Sequence, residues 1–373
     1  MILKDIWRKF DLWLFGVVLI LSIFGVAMIS SAIAGNPTLV DHPQRQIIFL
    51  VIGIVVLFIA TAFDYHYWLI LTTPLYLITL AFLIFVFVSA QARFGAARWL
   101  EVGLILIQPA ELAKIVVILA LARFFSRNVE KIGSVKVILQ SIFVTGGIVV
   151  WILLQPNLST SIVIFVIWFA MLWISGLKTK IIVIVSAIAI IFLIISAFMG
   201  FSYLAEYQQN RIKNFFNPEE EARYGDTYNV DQALISIGSG GLLGQGYGQG
   251  TQVQLRYLKI RHNDFIFSAI ANEFGFVGTT LVILLLLFVV YRCFRIAQKA
   301  SDTYGALIAY GFGVLIAFQS VVNIGVNLNI LPVTGLTLPF ISYGGSSLLS
   351  LLLGIGLVES VKMRSEYEIN KKP

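Results

Sequence analysis

"DFIFSAIANEFGFVGTTLVILLLLFVVY", Asp264 to Tyr291, is an apolar run that opens on a carboxylate and meets no basic residue until Arg292. A helix rises about 1.5 Å per residue, so about 20 such residues cross the roughly 30 Å of hydrocarbon in a bilayer. The run is long enough to span. Its opening residue then needs a reason, because a charge within a membrane helix costs roughly 2.5–3.5 kcal/mol on insertion scales and marks a site by default.

The rest of the chain reads the same way. Of its 373 residues 59% are hydrophobic and only 12% charged, where soluble domains carry roughly 25% charged residues. The expected fold is an all-α integral membrane protein, one polytopic domain over residues 1–373. Its bundle of about ten transmembrane helices would lie near residues 12–34, 46–63, 67–90, 109–126, 137–155, 158–176, 180–200, 264–291, 304–328 and 343–361. The N-terminal run, preceded by Lys4, Arg8 and Lys9 and followed by Ala32-Ile33-Ala34, mimics a cleavable signal peptide but is too long for one, so it is read as the first span.

Basic residues settle the expected orientation. Lys4, Arg8 and Lys9, then Arg123, Arg127, Lys131 and Lys136, Lys178 and Lys180, Arg292, Arg295 and Lys299, and the tail from Lys362 all fall on one side of such a bundle. The short loops of the other side hold only Arg45, Arg93 and Arg98. Both termini are therefore expected in the cytoplasm. The net charge of +7 fits anionic lipid better than nucleic acid.

One large polar insertion, residues 201–263 between spans seven and eight, is expected as an extracytoplasmic loop capping a cavity. Its stretches "YLAEYQQNRIKNFF" and "DQALISIGSGGLL" place apolar residues at amphipathic spacing, which predicts short interfacial helices. The glycine-dense "SIGSGGLLGQGYGQGTQ", Ser236 to Gln252, lacks the lysine of a phosphate loop and any GxGxxG, so its glycines serve tight turns and close approach. A single Cys293 leaves no intramolecular disulfide and no cysteine metal site, and His42, His66 and His262 lack metal-ligand spacing.

Four constellations could carry chemistry. Glu111 and Lys114 in "QPAELAKIVVILALARFF" stand three apart on one helix face, either as an ion pair between helices or as a polar cavity wall. Arg98 beside Trp99, and Arg45 in "PQRQ", are interfacial anchors or site cations. "VNLNILPVTGLTLPFISYGGSS", Val326 to Ser347, breaks helix at membrane depth, which is tolerated only inside protein or along a cavity. Asp264, beside His262 and downstream of Arg256, Lys259 and Arg261, is either the N-cap of the helix it opens or a catalytic or metal-binding carboxylate.

Taken together and in order, "GAARWLEVG", "QPAELAK", "YQQNRIKNFFNP", "YNVDQALISIGSGGLLGQGYGQGTQ", "HNDFIF" and "LPVTGLTLPFISYGGSS" resemble the SEDS family of bacterial cell-wall proteins over nearly the whole chain. The resemblance implies a glycosyltransferase that polymerises lipid II into glycan strands at the outer face of the cytoplasmic membrane, beside a class B penicillin-binding protein. "GQGTQVQL" and the short N-terminus look more like the elongation (RodA-like) branch than the division (FtsW-like) branch. The family's essential carboxylate falls on Asp264, as a base or as the holder of a divalent cation (Mg or Mn). Its intramembrane acid and base fall on Glu111 and Lys114. Arg45, Arg98, Arg211 and Gln252 fall on further positions of the outer cavity, with His262 next to Asp264. The family commonly has QPDLGT where this chain has Gln155 to Thr160 as "QPNLST", and its paired acids after the key Asp become Asn272-Glu273. A transporter of lipid-linked precursors or a noncatalytic scaffold would share the intramembrane charges and broken spans.

Overall fold

The computed structural model describes residues 7–33, 39–91, 100–102, 105–155, 157–181, 226–258 and 261–369, with isolated positions between 183 and 215. Its helices are α1 (Leu12–Ile33), α2 (His42–Ala62), α3 (Tyr65–Gln91), α4 (Pro109–Arg127), α5 (Val135–Leu154), α6 (Leu158–Ile174), α7 (Asp226–Gly240), the single turn α8 (Thr251–Gln254), α9 (Ile266–Gln298), α10 (Thr303–Asn327) and α11 (Gly345–Ile369). The described strands are β1 (Leu100–Val102) and β2 (Ile105–Ile107), an antiparallel pair that leads into α4.

All the expected spans but one fall on helices, and the exception, 180–200, lies mostly outside the described residues. Among the described residues seven helices are long and apolar enough to cross a membrane: α1, α2, α3, α5, α9, α10 and α11. The apolar α6 is shorter, and α4 carries Glu111, Lys114, Arg123 and Arg127. The bundle has a clear inside. α10 and α11 bury most of their surface, whereas α3 and α5 leave most of theirs to lipid. The interior that results is partly polar, with Gln319, Asn323, Asn327, Ser346, Ser350, Glu359 and Ser360 all buried on those two helices.

Polar contacts lock the end of the bundle remote from Asp264. The Asp11 carboxylate accepts from Arg292 Nε at 2.8 Å and from the backbone N–H of Leu14 at 3.1 Å, while its own N–H donates to Glu359 at 2.9 Å. One residue thus joins α1, α9 and α11. Nearby, His66 lies 2.8 Å from Asp64 and 3.2 Å from Asp302, and Arg364 lies 3.3 Å from Asp64.

α9 is broken. At Gly275 the backbone turns to φ 64°, ψ −161°, a region essentially reserved for glycine. The break frees peptide groups that hydrocarbon could not satisfy. The glycine-rich segment after α7 satisfies them: Phe276 and Val277 donate to the carbonyls of Gly241 and Leu242 (2.9 and 3.1 Å), and Asn272 and Glu273 accept from the N–H groups of Gln245 and Gly246 (3.0 and 2.9 Å). A Cβ at Gly275 would stand 2.4 Å from the Gly244 nitrogen, and one at Gly244 would stand 2.2 Å from the Glu273 carbonyl oxygen. The glycines therefore serve close backbone approach. Gly275→Ala is expected to cost about 1–3 kcal/mol from backbone strain alone; a lowered thermal unfolding midpoint in detergent checks it, and an unchanged midpoint would refute this need for glycine.

Candidate functional site

Asp264 sits in the turn before α9, partly exposed, with buried Phe265 and Ile266 following. Phe265 occupies the N-cap position with no side-chain cap bond. The N–H of Ser268 instead donates to Asn327 Oδ1 on α10 at 3.0 Å, and the Ser268 hydroxyl donates to the same oxygen at 2.6 Å. The cap comes from another helix.

Each residue of the turn is held through its backbone. The His262 carbonyl accepts from the N–H of Tyr343 at 3.0 Å, and the Asn263 carbonyl accepts from the Ser342 hydroxyl at 2.8 Å. The Asp264 carbonyl accepts from Asn323 Nδ2 at 3.1 Å and Asn327 Nδ2 at 2.9 Å. Ser342 and Tyr343 belong to the non-helical segment between α10 and α11, whose later part is packed inside protein: Leu336, Leu338, Phe340 and Ile341 are all buried, while its start at Leu328 and Ile330 is exposed. Gln46 of α2 holds the same segment, accepting from Gly344 at 3.2 Å and donating to the Ser342 carbonyl at 3.4 Å. The Asp264 carboxylate faces Gly335 of that segment, 3.9 Å from where a Cβ there would lie.

Aromatic and basic groups line the approach. The His42 ring lies 4.3 Å from Tyr343 and 5.5 Å from His262, at 89° to the latter. Arg45 stands in the first turn of α2, three residues after His42. Arg261 serves another end: it donates to the carbonyls of Ala32 and, at 2.9 Å, Leu258, tying the turn to α1. Part of the basic cluster near Asp264 is thus an anchor.

Burial, then His42 and Arg261, push the His262 imidazole down to about 4. The folded protein keeps this ring neutral while the unfolded chain takes up a proton below about 6.5. Its stability is therefore complete above pH 6.5 and falls as the pH descends toward 4. The thermal midpoint is expected to drop by several degrees between pH 7 and pH 5, and His262→Phe to flatten that slope; equal slopes would refute the assignment.

The second constellation lies on α4. Pro109 opens that helix, and Lys114 Nζ stands 2.8 Å from both carboxylate oxygens of Glu111, with both side chains buried. At the head of α4 the Gln108 N–H donates to Ser346 at 3.0 Å, and the neighbouring Ser347 meets Thr337 at 2.9 Å, in the segment that includes Gly335. Gln252 lies on α8, its carbonyl accepting from Leu258 at 3.4 Å, and no contact among the described residues joins its side chain to Asp264. Arg211 is an isolated described position, and Arg98 lies outside the described residues. Asn157, the amide standing where the family commonly has a carboxylate, caps α6 by accepting from Thr160 N–H at 3.3 Å, a task that Asn and Asp perform equally well.

Sequence reasoning missed His42, Gln46, Asn323, Asn327, Ser342 and Tyr343. The signal for the two asparagines was present as amides one turn apart in an apolar span, where polar side chains bond across helices.

A broken helix, a partly buried non-helical segment and a carboxylate on a turn clamped through its backbone, at one end of an apolar bundle, define a multi-pass membrane protein with a polar site. The chain belongs to the FtsW/RodA/SpoVE family of cell cycle proteins, whose profile matches residues 5–367; this is the SEDS family. It is 34% identical to the probable peptidoglycan glycosyltransferase FtsW of Hydrogenovibrio crunogenus, over 96% of this chain and 93% of that one. It is 33% identical to the peptidoglycan glycosyltransferase MrdB of Escherichia coli K12, over 96% and 95%. Among solved structures it resembles a chain of a peptidoglycan synthase complex described as coordinating polymerisation and crosslinking (TM-score 0.80, 29% identity, 95% of this chain and 98% of that one). It also resembles the rod shape determining protein RodA of Thermus thermophilus (TM-score 0.69, 30% identity, 95% and 97%).

Proposed function

We propose that this protein is a peptidoglycan glycosyltransferase that polymerises lipid II into glycan strands at the outer face of the bacterial cytoplasmic membrane, with both termini in the cytoplasm. The observation that carries the chemistry is the Asp264 turn, whose backbone is clamped on three successive carbonyls while α10 supplies the helix cap. Making a β-1,4 linkage from an α-linked sugar diphosphate inverts the anomeric carbon, so one in-line displacement by the acceptor 4-hydroxyl suffices. Asp264 accepts the hydroxyl proton as the new C–O bond forms and the lipid diphosphate leaves with the electron pair of the broken bond. Arg45 offsets charge on the leaving group. Glu111 and Lys114 keep the cavity wall polar, and Arg98, Arg211, Gln252 and His262 complete the substrate-binding surface.

The donor set also suits a divalent cation of a particular kind. Asp264 offers hard carboxylate oxygens, and no group of three His, Cys, Asp or Glu among the described residues could cage an ion. As the alternative to its role as base, Asp264 would hold Mg²⁺ or Mn²⁺ through those oxygens, the hard donor type that such ions take. Bound there, the ion would supply charge neutralisation at the diphosphate.

A class B penicillin-binding protein is the proposed partner, in line with the synthase complex that the chain resembles. The elongation-type branch is preferred on "GQGTQVQL", since similar identities to relatives named FtsW and MrdB do not separate the branches. The test is polymerisation of lipid II by reconstituted protein and partner, with crosslinking blocked by a β-lactam, in Mg²⁺ or EDTA. Strands on a gel support the reading. No strands, with lipid II crossing the vesicle membrane, would replace it with a transporter.

A further inference from the structure

Resting on that reading, we propose that Asn323 and Asn327 are positioning residues for the transfer reaction: two carboxamides on α10 that set where the Asp264 carboxylate points. Both are buried, at 1% and 0% exposure, and stand one turn apart, so they present to one face of α10. Their amide nitrogens converge on the Asp264 carbonyl, and Asn323 Nδ2 also donates to the Leu336 carbonyl at 2.8 Å. Leu336 adjoins Gly335, the residue the carboxylate faces. One side chain therefore holds both walls of the site in register.

The Asn327 amide is oriented by its two ends. Its oxygen takes the Ser268 N–H and hydroxyl, and its nitrogen also donates to the Asn323 carbonyl at 2.8 Å. An ordinary N-cap would use an Asp side chain at the head of the helix, drawing it down onto the backbone N–H groups. With Asn327 satisfying Ser268 from α10, the helix does not need the Asp264 carboxylate for that bond. Capping and chemistry are assigned to different residues, and the Asn pair makes this possible.

Asn327→Asp separates the two jobs. It retains an oxygen for Ser268 but replaces the donor aimed at the Asp264 and Asn323 carbonyls with an acceptor, which repels both. Asn323→Asp removes the donor to Asp264 and Leu336 while leaving the Ser268 cap intact, and carries the same test should Asn327→Asp fail to fold. Thr61→Val, which strips a buried hydroxyl bonded to Gly356 at 3.2 Å far from the site, controls for general destabilisation.

The measurement is lipid II polymerisation against substrate concentration for wild type, Asp264→Asn and these variants, with thermal midpoints for each. The expected result is a loss of tenfold or more in kcat for both Asn→Asp variants, with KM within about threefold, and unchanged kcat for Thr61→Val at a comparable midpoint. Full kcat in a folded Asn→Asp variant, with Asp264→Asn inactive, overturns the positioning role alone. Wild type without activity removes the glycosyltransferase reading and this role with it; Asp264→Asn as active as an active wild type removes Asp264 from the reaction, and the positioning role falls while the glycosyltransferase reading stands.

Discussion

Asp264→Asn is expected to lower the rate of glycan-strand formation by about 10²–10⁴-fold, the usual contribution of a general base, in protein that still folds. The substitution is nearly isosteric, and the hydrogen bonds that seat this turn use its backbone: the Asp264 carbonyl is gripped by Asn323 and Asn327, and the flanking carbonyls by Ser342 and Tyr343. None of those bonds needs the carboxylate. What the amide lacks is a negative oxygen able to take a proton or hold a cation. The check is paired, with strand formation measured beside a thermal midpoint. Loss of activity at an unchanged midpoint is the expected outcome, and retained activity would remove Asp264 from the reaction.

Lys114→Ala is expected to be the most destabilising of the single changes considered, at about 3–5 kcal/mol, because it leaves the buried Glu111 carboxylate without its counter-charge. Lys114 is only 1% exposed and Glu111 8%, so the carboxylate loses the ammonium 2.8 Å away with little solvent around it. Replacing both partners, as Glu111→Gln with Lys114→Met, removes the uncompensated charge and is expected to restore most of the lost stability. The double variant also separates structural from functional use of the pair. If the pair only joins helices, activity returns with stability; if it forms a polar wall for substrate, stability returns and polymerisation stays low. The second outcome is expected.

Some of the site was legible in residues alone because the signals are local. Hydropathy sums over a window, so the apolar run from Asp264 to Tyr291 announces a membrane helix wherever its neighbours lie. A carboxylate at its mouth is conspicuous for the same reason. Glu111 and Lys114 were readable as a pair because three residues along a helix is a short distance in sequence and in space. The glycine-rich stretch after α7 could be read as a place of close approach, though not as a plug for the break in α9.

The chain as written therefore determined the class of protein, the placement of most of its helices and the candidate reactive carboxylate. Only the tertiary structure decided how that carboxylate is presented. The bonds that matter join residues far apart in sequence: Asn327 to Asp264 and to Ser268, Ser342 to Asn263, Gln46 to Gly344, Arg261 to Ala32. No helical or strand period records such pairings. They arise because a membrane bundle excludes water, so every buried peptide group must find a partner inside the protein. Which partner it finds depends on how the helices pack. That requirement makes α10 the cap of α9, leaves Arg261 as a tether to α1, and sets His42, Tyr343 and His262 around the approach to Asp264.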